Sequence, residues 1–363
     1  MKFSVSKDKL LEGLSTVQNV VSTRTTLPIL SNVLLQASDG EIRMTTTDMD
    51  VGVRRSVDAQ VERTGATTLP ARRLFSIVRE LPSSEIYFDV DTKNFASIRS
   101  GSSYFKILGL PEEEFPPLAR FEDAKIFTIA QKDLKDGLKK TFYAISTEQS
   151  RYVLNGILFS FKDNKLTLVA TDGRRLALVD LKVEFPRSQE TEVIIPTKAV
   201  TEIQRLVREE GEVKLSIGEN QIAFELNRTL LVAKLVEGNY PNYRQVIPPE
   251  AKERITLERE TFLSAVRRVS LLASEKSNSV KLIFSKGNID IVATTPEVGE
   301  AKESLPVMYK GHEFSIAFNP EFLMAPLRNL SEEEIYLDLI DEMSPGVIKI
   351  AGPFLCVLMP MRF

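Results

Sequence analysis

Residue types that make nucleophiles and metal sites are scarce in this sequence. It has one cysteine, Cys356, and one histidine, His312. A Cys–His nucleophile would need the two side by side. Cys356 stands in the apolar run 354-FLCVLMP-360, which reads as a buried strand, and a buried structural thiol is ordinarily inert. His312, in YKGHEF, has the polar surroundings of an exposed turn. No Cys/His spacing suits zinc, and there is no GxGxxG or Walker A motif. Asp48, Asp50 and Asp172 could serve a metal-dependent nuclease only if they clustered. The densest chemical phrase is 168-LVATDGRRLAL-178, an Asp-Gly corner, two arginines and an apolar tail.

That phrase has two cousins, 41-EIRMTTTDMDVGVRRSV-57 and 289-IDIVATTPEVGEAKESL-305. Asp48, Asp172 and Thr295 fall at nearly equal intervals, each close to a third of the chain. Other landmarks keep the same pitch. Each third opens with a strand and a helix: 3-FSVSKDKLLEGL-14, 127-FTIAQKDLKDGL-138 and 255-ITLERETFLSAV-266, with Ser6, Ala130 and Glu258 just before the helix. A second helix follows a proline, Pro70, Pro196 or Pro320, near its first turn, where a missing N–H does no harm. Each third closes with strands, and charged, proline-rich joints lie at 111–123 and 237–254. Four landmarks in one order, three times, mark a triplication. Asp48 and Asp172 are then equivalent corners of different repeats, which argues against a shared metal site.

Alternation in 157–172 and 280–295, with KDNK and SKGN as hairpin turns, reads as antiparallel strands. The expected fold is α+β: three repeated domains, 1–122, 123–250 and 251–363, each with two helices packed on about eight antiparallel strands. The spacing predicts helices over 71–81, 131–146 and 198–208. Arg72 and Arg79, Lys132, Lys135 and Lys139, and Lys198 and Arg205 lie on the polar faces of these helices, with Asp136 and Glu202 intruding. Any one such face reads as a solvated surface.

With 363 residues the chain has room for two or three domains. Hydrophobic residues at 43%, charged residues at 27% and a net charge of −3 describe an ordinary globular protein and give no argument for a nucleic-acid partner. Charge acts locally, however, and a basic face can coexist with an acidic exterior. One cysteine forbids an intrachain disulfide and fits a reducing compartment. No secretory signal or membrane span is legible, so the expected location is the cytoplasm.

The chain resembles the bacterial β sliding clamp family, the processivity subunit of DNA polymerase III. The resemblance is carried by 27-LPILSNVLL-35 with Arg24 before it, 70-PARRLFSIVRELP-82, 151-RYVLNGILF-159, 169-VATDGRRLAL-178, 239-NYPNYRQVIP-248 and the ending 359-MPMRF-363. It spans all three repeats and implies three DNA-clamp domains per chain, closed into a head-to-tail dimeric ring around duplex DNA. It implies a DNA-bound, non-catalytic protein in the bacterial cytoplasm, at the nucleoid, with no catalytic residue, metal or cofactor.

By position, the resemblance implies DNA-side roles for Arg24, Arg72, Arg73, Arg79, Arg151, Tyr152 and Lys198. Glu148 departs from the basic trend there. It implies a docking groove for short motifs of DNA polymerase III α, the clamp loader, other polymerases and repair proteins. Its residues would be Leu154, Thr171, Gly173, Arg174, Arg175, Leu176, Pro241, Val246, Phe322, Val357, Met359, Pro360, Met361 and Arg362. Leu, Val, Pro and pliable Met suit a site with several ligands, at about −8 kcal/mol for micromolar binding. Arg174, Gln245 and the loop 343-MSPGV-347 depart from the best-known members and bear on motif preference. The implied dimer contacts are Phe105 and Ile107 on an edge strand and Leu271 and Leu272 at a helix end. The alternatives are a metal-dependent nuclease and a triplicated protein-binding scaffold that does not encircle DNA.

Overall fold

The computed structural model describes residues 1–21, 27–82, 84–119, 121–249, 251–273, 278–296 and 298–362. They pack as two compact units, residues 1–132 with 201–235 and residues 133–200 with 236–363.

In the first unit an eight-stranded antiparallel sheet runs in the order Lys125–Ala130, Glu212–Ile217, Gln221–Leu226, Thr229–Lys234, Val51–Asp58, Glu41–Thr47, Asn32–Ser38, Gly65–Pro70. Half of it comes from the first third of the sequence and half from the second. The join is the pairing of Leu231 with Val53 and of Val232 with Gly52. A five-stranded sheet, in the order Gln60–Arg63, Lys2–Ser6, Glu85–Val90, Phe95–Ser100, Ser103–Leu108, ends on an edge strand. Helices α1 (Lys7–Val17) and α2 (Ala71–Glu80) pack together. Ser6 caps α1, accepting from the Lys9 amide at 3.4 Å, while Leu10, Leu14 and Val17 are buried. Gly13 lies where α1 crosses the sheet, and a Cβ there would collide with the Met44 side chain. The Thr46 hydroxyl donates to the Val17 carbonyl at 2.6 Å, closing the end of α1.

The second unit repeats the plan. Its eight-stranded sheet runs Thr191–Pro196, Gly156–Lys162, Lys165–Thr171, Arg175–Lys182, Phe354–Leu358, Gly346–Lys349, Glu334–Leu339, Glu253–Glu258, so the middle third supplies one half and the last third the other. A four-stranded sheet runs Gly299–Pro306, Asn288–Thr295, Val280–Ser285, Phe314–Phe318.

Helices α3 (Gln131–Thr141) and α4 (Thr197–Leu206) belong to the middle third; α5 (Arg259–Ser270) and α6 (Pro320–Asn329) belong to the last and pack together. Glu258 caps α5 through the amides of Glu260 and Thr261, at 3.0 and 2.6 Å. Asn319 caps α6 through the Glu321 amide at 2.9 Å. Ala130 cannot cap, and the Gln131 amide instead donates to the Gly211 carbonyl at 2.9 Å.

Three expectations are corrected. The helix expected over 131–146 stops at Thr141 and gives way to a tight turn, Phe142–Ala144. The Thr141 hydroxyl donates to the Gly137 carbonyl at 2.9 Å, competing for the helix's own acceptor. Glu202 does not intrude on the polar face of α4; it is buried and pairs with Arg205 at 3.4 Å. The helix expected over 198–208 is Thr197–Leu206. Among the described residues no helix is long and apolar enough to cross a membrane.

Candidate docking site and DNA-facing residues

The TDGRR phrase is a corner between strands Lys165–Thr171 and Arg175–Lys182. Asp172 Oδ1 accepts from the amides of Arg174 and Arg175, at 2.9 and 3.0 Å. The Thr171 hydroxyl donates to the Arg175 carbonyl at 2.6 Å and accepts from the Gly173 amide at 3.1 Å. Gly173 takes φ +86°, a left-handed value that suits glycine.

The first third builds the same corner. Asp48 Oδ1 accepts from the amides of Asp50 and Val51, at 3.1 and 2.8 Å, and Thr47 repeats the role of Thr171. Met49 stands at φ +80°. In both copies the strand alongside locks on by one bond, Lys234 N to Asp50 O and Met359 N to Arg174 O, each 2.9 Å. The third corner includes Glu297, outside the described residues; there the Val298 amide donates to the Thr295 carbonyl at 3.0 Å. The carboxylates of Asp48 and Asp172 are thus turn-builders, and Asp50 pairs with Lys234 at 3.1 Å. Among the described residues no three His, Cys, Asp or Glu side chains group as a metal site would.

The middle copy differs in what it carries. The Arg175 guanidinium lies over the Phe322 ring at 4.6 Å and the Tyr143 ring at 5.7 Å, and its Nε donates to Asp172 Oδ2 at 3.0 Å. Beneath it the Tyr143 hydroxyl is buried beside the Cys356 thiol. Burial pushes the phenol well above its ordinary value and the thiol up to about 12. Cys356 is therefore an inert packing residue, and His312 is exposed on a loop.

Leu176 sits opposite Val357 across the joining strands. The two are buried in one apolar cluster with Leu158, Val169, Ile194, Tyr243 and Val347. Leu154 is also buried, and its neighbour Val153 packs on that cluster. Above this floor Gly173, Arg174, Pro241, Val246, Met359 and Arg362 are exposed, while Thr171, Phe322, Pro360 and Met361 are half-buried. The tail is held: the Met361 amide donates to the Ala317 carbonyl at 2.8 Å. Phe363 lies outside the described residues. Tyr143, Tyr240 and Tyr243 were missed by the sequence reading, although NYPNY carries two of them at the joint. Gln245 is exposed, and the 343–347 loop is shaped by Asp341, which accepts from the amides of Met343 and Ser344 at 2.9 and 2.7 Å.

Of the basic residues, Arg72, Arg73 and Arg79 are exposed on α2, and Lys198 is exposed on α4. Arg79 is partnered by the neighbouring Glu80 at 3.0 Å. Arg151 and Tyr152 are exposed, but Arg151 is held by Glu148 at 3.3 Å and donates to the Asp172 carbonyl at 3.0 Å. Arg24 lies outside the described residues. In the last third Arg268 and Arg328 are paired with Glu303 and Glu321. Phe105 and Ile107 share one side of the edge strand Ser103–Leu108, opposite Ile98 and Ala96. Leu271, just past α5, is 79% exposed, and Leu272 is half-buried.

Three successive stretches match known families: residues 1–119 match the DNA polymerase III beta subunit N-terminal domain, 128–242 its central domain and 244–362 its C-terminal domain. The chain belongs to the β sliding clamp family. It is 38% identical to the beta sliding clamp of Chlamydia muridarum, over all of this chain and 99% of that one. It superposes on the DNA polymerase sliding clamp of Bacillus subtilis with a TM-score of 0.96 at 31% identity, over 100% of this chain and 99% of that one. It superposes on a sliding clamp from Bartonella birtlesii, solved bound to griselimycin, with a TM-score of 0.95 at 37% identity, over the whole of both chains. The clamp family is a processivity factor of DNA replication that works with DNA and polymerases, and this chain's function is that of the family. A scaffold without a DNA role is not favoured.

Proposed function

We propose that three clamp domains, 1–122, 123–250 and 251–363, close head to tail with a second copy into a ring around duplex DNA, and that the ring is a non-catalytic tether in the bacterial cytoplasm. A head-to-tail contact closes when its rotation allows. The edge strand Ser103–Leu108 supports this reading. Tyr104, Phe105 and Leu108 are exposed on it, and an open apolar edge is a hazard until it is paired. The contact would set Phe105 and Ile107 of one subunit against Leu271 and Leu272 of the partner subunit. Arg24, Arg72, Arg73, Arg79, Arg151, Tyr152 and Lys198 would meet phosphates without reading sequence, which permits sliding.

One observation carries the docking reading. Among the described residues the corner is built twice with the same hydrogen bonds, and of these two the copy at Asp172 bears an arginine stacked on aromatics over an apolar floor, with an open rim of Gly173, Arg174, Pro241, Val246, Met359 and Arg362. Short linear motifs of polymerase III α, the clamp loader and other replication and repair proteins would seat there at micromolar strength, about −8 kcal/mol. Deleting residues 359–363 should abolish polymerase stimulation and leave the dimer intact in sedimentation; loss of the dimer counts against the assignment. Clamps loaded on nicked circular DNA should stay until the circle is linearised. Equal retention on both forms refutes sliding.

A further inference from the structure

The eight-stranded sheet of residues 1–132 and 201–235 has one face under α1, marked by Met44, Thr46 and Val57. Side chains alternate across a strand, so Glu41, Arg43 and Thr45 and, on the next strand, Arg54 and Ser56 belong to the other face. That face holds a cleft of about 420 Å³ lined by Glu41, Arg43, Arg54, Ser56, Arg228 and Thr229, among others.

The charges in it are unevenly matched. Glu41 accepts from Arg43 Nε at 2.5 Å and from Arg228 Nη2 at 3.1 Å, and Asp58 accepts from Arg228 Nη1 at 2.6 Å. Those two guanidiniums are thereby fixed in place. Arg54 is not matched. Its cross-strand neighbours are Thr45 and Leu230, neither acidic. Its hydrogen bond among the described residues is a long one, from Nε to the Thr45 hydroxyl at 3.4 Å. Among the described residues no carboxylate comes within ion-pair distance of it, although Glu225 lines the same cleft. Arg54 is half-buried, and burial, then the like charge of Arg43, lower its pKa. Arg228 adds a second cost, since it sits at φ +58° in a hairpin turn where glycine is the ordinary choice.

A half-buried guanidinium with no carboxylate of its own, beside one already paired to Glu41, is unfavourable until a further anion joins it. Arginine's planar fork suits tetrahedral oxyanions, and the Ser56 and Thr229 hydroxyls supply further donors. We propose that this cleft, built on Arg43, Arg54 and Arg228, binds a small phosphate dianion, either the free ion or the monoester of a nucleotide. Its lining shares no residue with the proposed docking groove or with the basic residues of the helices.

Thermal denaturation of the full chain tests it, with chloride replaced at constant ionic strength by inorganic phosphate or by adenosine monophosphate. The expected result is a saturable rise in Tm. Saturation by phosphate alone assigns the free ion, and tighter saturation by the nucleotide assigns the monoester. Arg54→Gln and Arg43→Gln should each weaken the response about tenfold or more, because each removes a charge-assisted donor. Arg54→Lys should keep part of it, and Arg99→Ala, outside the cleft, all of it. If Arg54→Gln does not fold, Arg43→Gln carries the test. A rise that is linear and equal in every variant is a bulk salt effect and overturns the proposal. So does a loss of duplex-DNA binding in Arg54→Gln without any loss of the phosphate response.

Discussion

Replacing Gly173 by alanine separates the backbone of the corner from its contents. Gly173 has φ +86°, and a Cβ there would lie 2.6 Å from Arg151 Nη1. Two costs follow. The left-handed backbone costs a side-chain-bearing residue about 1–2 kcal/mol. The guanidinium must also move, losing its 3.0 Å bond to the Asp172 carbonyl; at an exposed site that is worth about 0.5–1 kcal/mol. The total for Gly173→Ala is about 1.5–3 kcal/mol. Met49, at φ +80° in the equivalent corner, shows that the turn itself tolerates a side chain. The fall in Tm should be about 3–12 °C, at about 2–4 °C per kcal/mol for a unit of this size. The assay is a double-mutant cycle in denaturation with Arg151→Ala. With the guanidinium gone, only the backbone cost should remain, so the coupling should be about 0.5–1 kcal/mol. An equal cost of Gly173→Ala in both backgrounds refutes the assignment of Arg151 as the group that the corner must clear.

Other outcomes follow from the same geometry. Arg175→Ala removes the stack on Phe322 and Tyr143 and the Asp172 pair, so motif-peptide affinity in fluorescence polarisation should fall about tenfold or more, and Arg175→Lys should not restore it. At Asp338, burial raises the carboxyl, but hydrogen bonds and charge from Arg254 and Lys349 outweigh it and hold the carboxyl below its ordinary value. Its folded pKa being depressed, its stabilisation is present above the unfolded pKa of about 4 and lost as pH falls through the folded value. Asp338→Asn should therefore destabilise by about 1–3 kcal/mol at neutral pH, after discounting for the exposed stem of Arg254, and this difference should shrink in acid denaturation below about pH 4. Phe105→Asp should split the dimer in sedimentation while leaving the monomer's circular dichroism unchanged; an intact dimer would remove the edge strand from the interface.

The repeat was legible because its punctuation is local. Ser6, Glu258 and Asn319 cap helices through bonds spanning three residues or fewer, and Asp48 and Asp172 build turns from their own next amides. Apolar alternation likewise declares strands wherever one face is covered. Which strands join was not legible. The pairing of Leu176 with Val357 and of Gly52 with Val232 is long-range, and no short pattern announces it. The end of α3 at Thr141 was missed because a hydroxyl bond to a carbonyl four residues back is one option among several for a threonine. Tyr143 escaped for the same reason, its place under Arg175 being fixed by that early stop.

The joins also account for a difference between the two corners: the hollow beside the first is filled, and the one beside the corner proposed for docking is open. In the first unit the position opposite Val232 is Gly52, and Leu118 from the following joint lies so close that a Cβ on Gly52 would collide with it. The joint itself fills the hollow and leaves about 160 Å³ among Thr47, Met49, Pro116, Pro117 and Lys234. In the second unit the position opposite Val357 is Leu176, and the joint contributes Tyr243 to a buried cluster while Pro241 and Val246 stay exposed at the rim. There the floor is made by the strands and the joint is left as a wall. The backbone of the corner is the same in both, down to the 2.9 Å bond that fastens the neighbouring strand. Gly52 and Leu176 occupy this same paired position: the glycine leaves room for Leu118 of its own joint, whereas the leucine fills the floor itself.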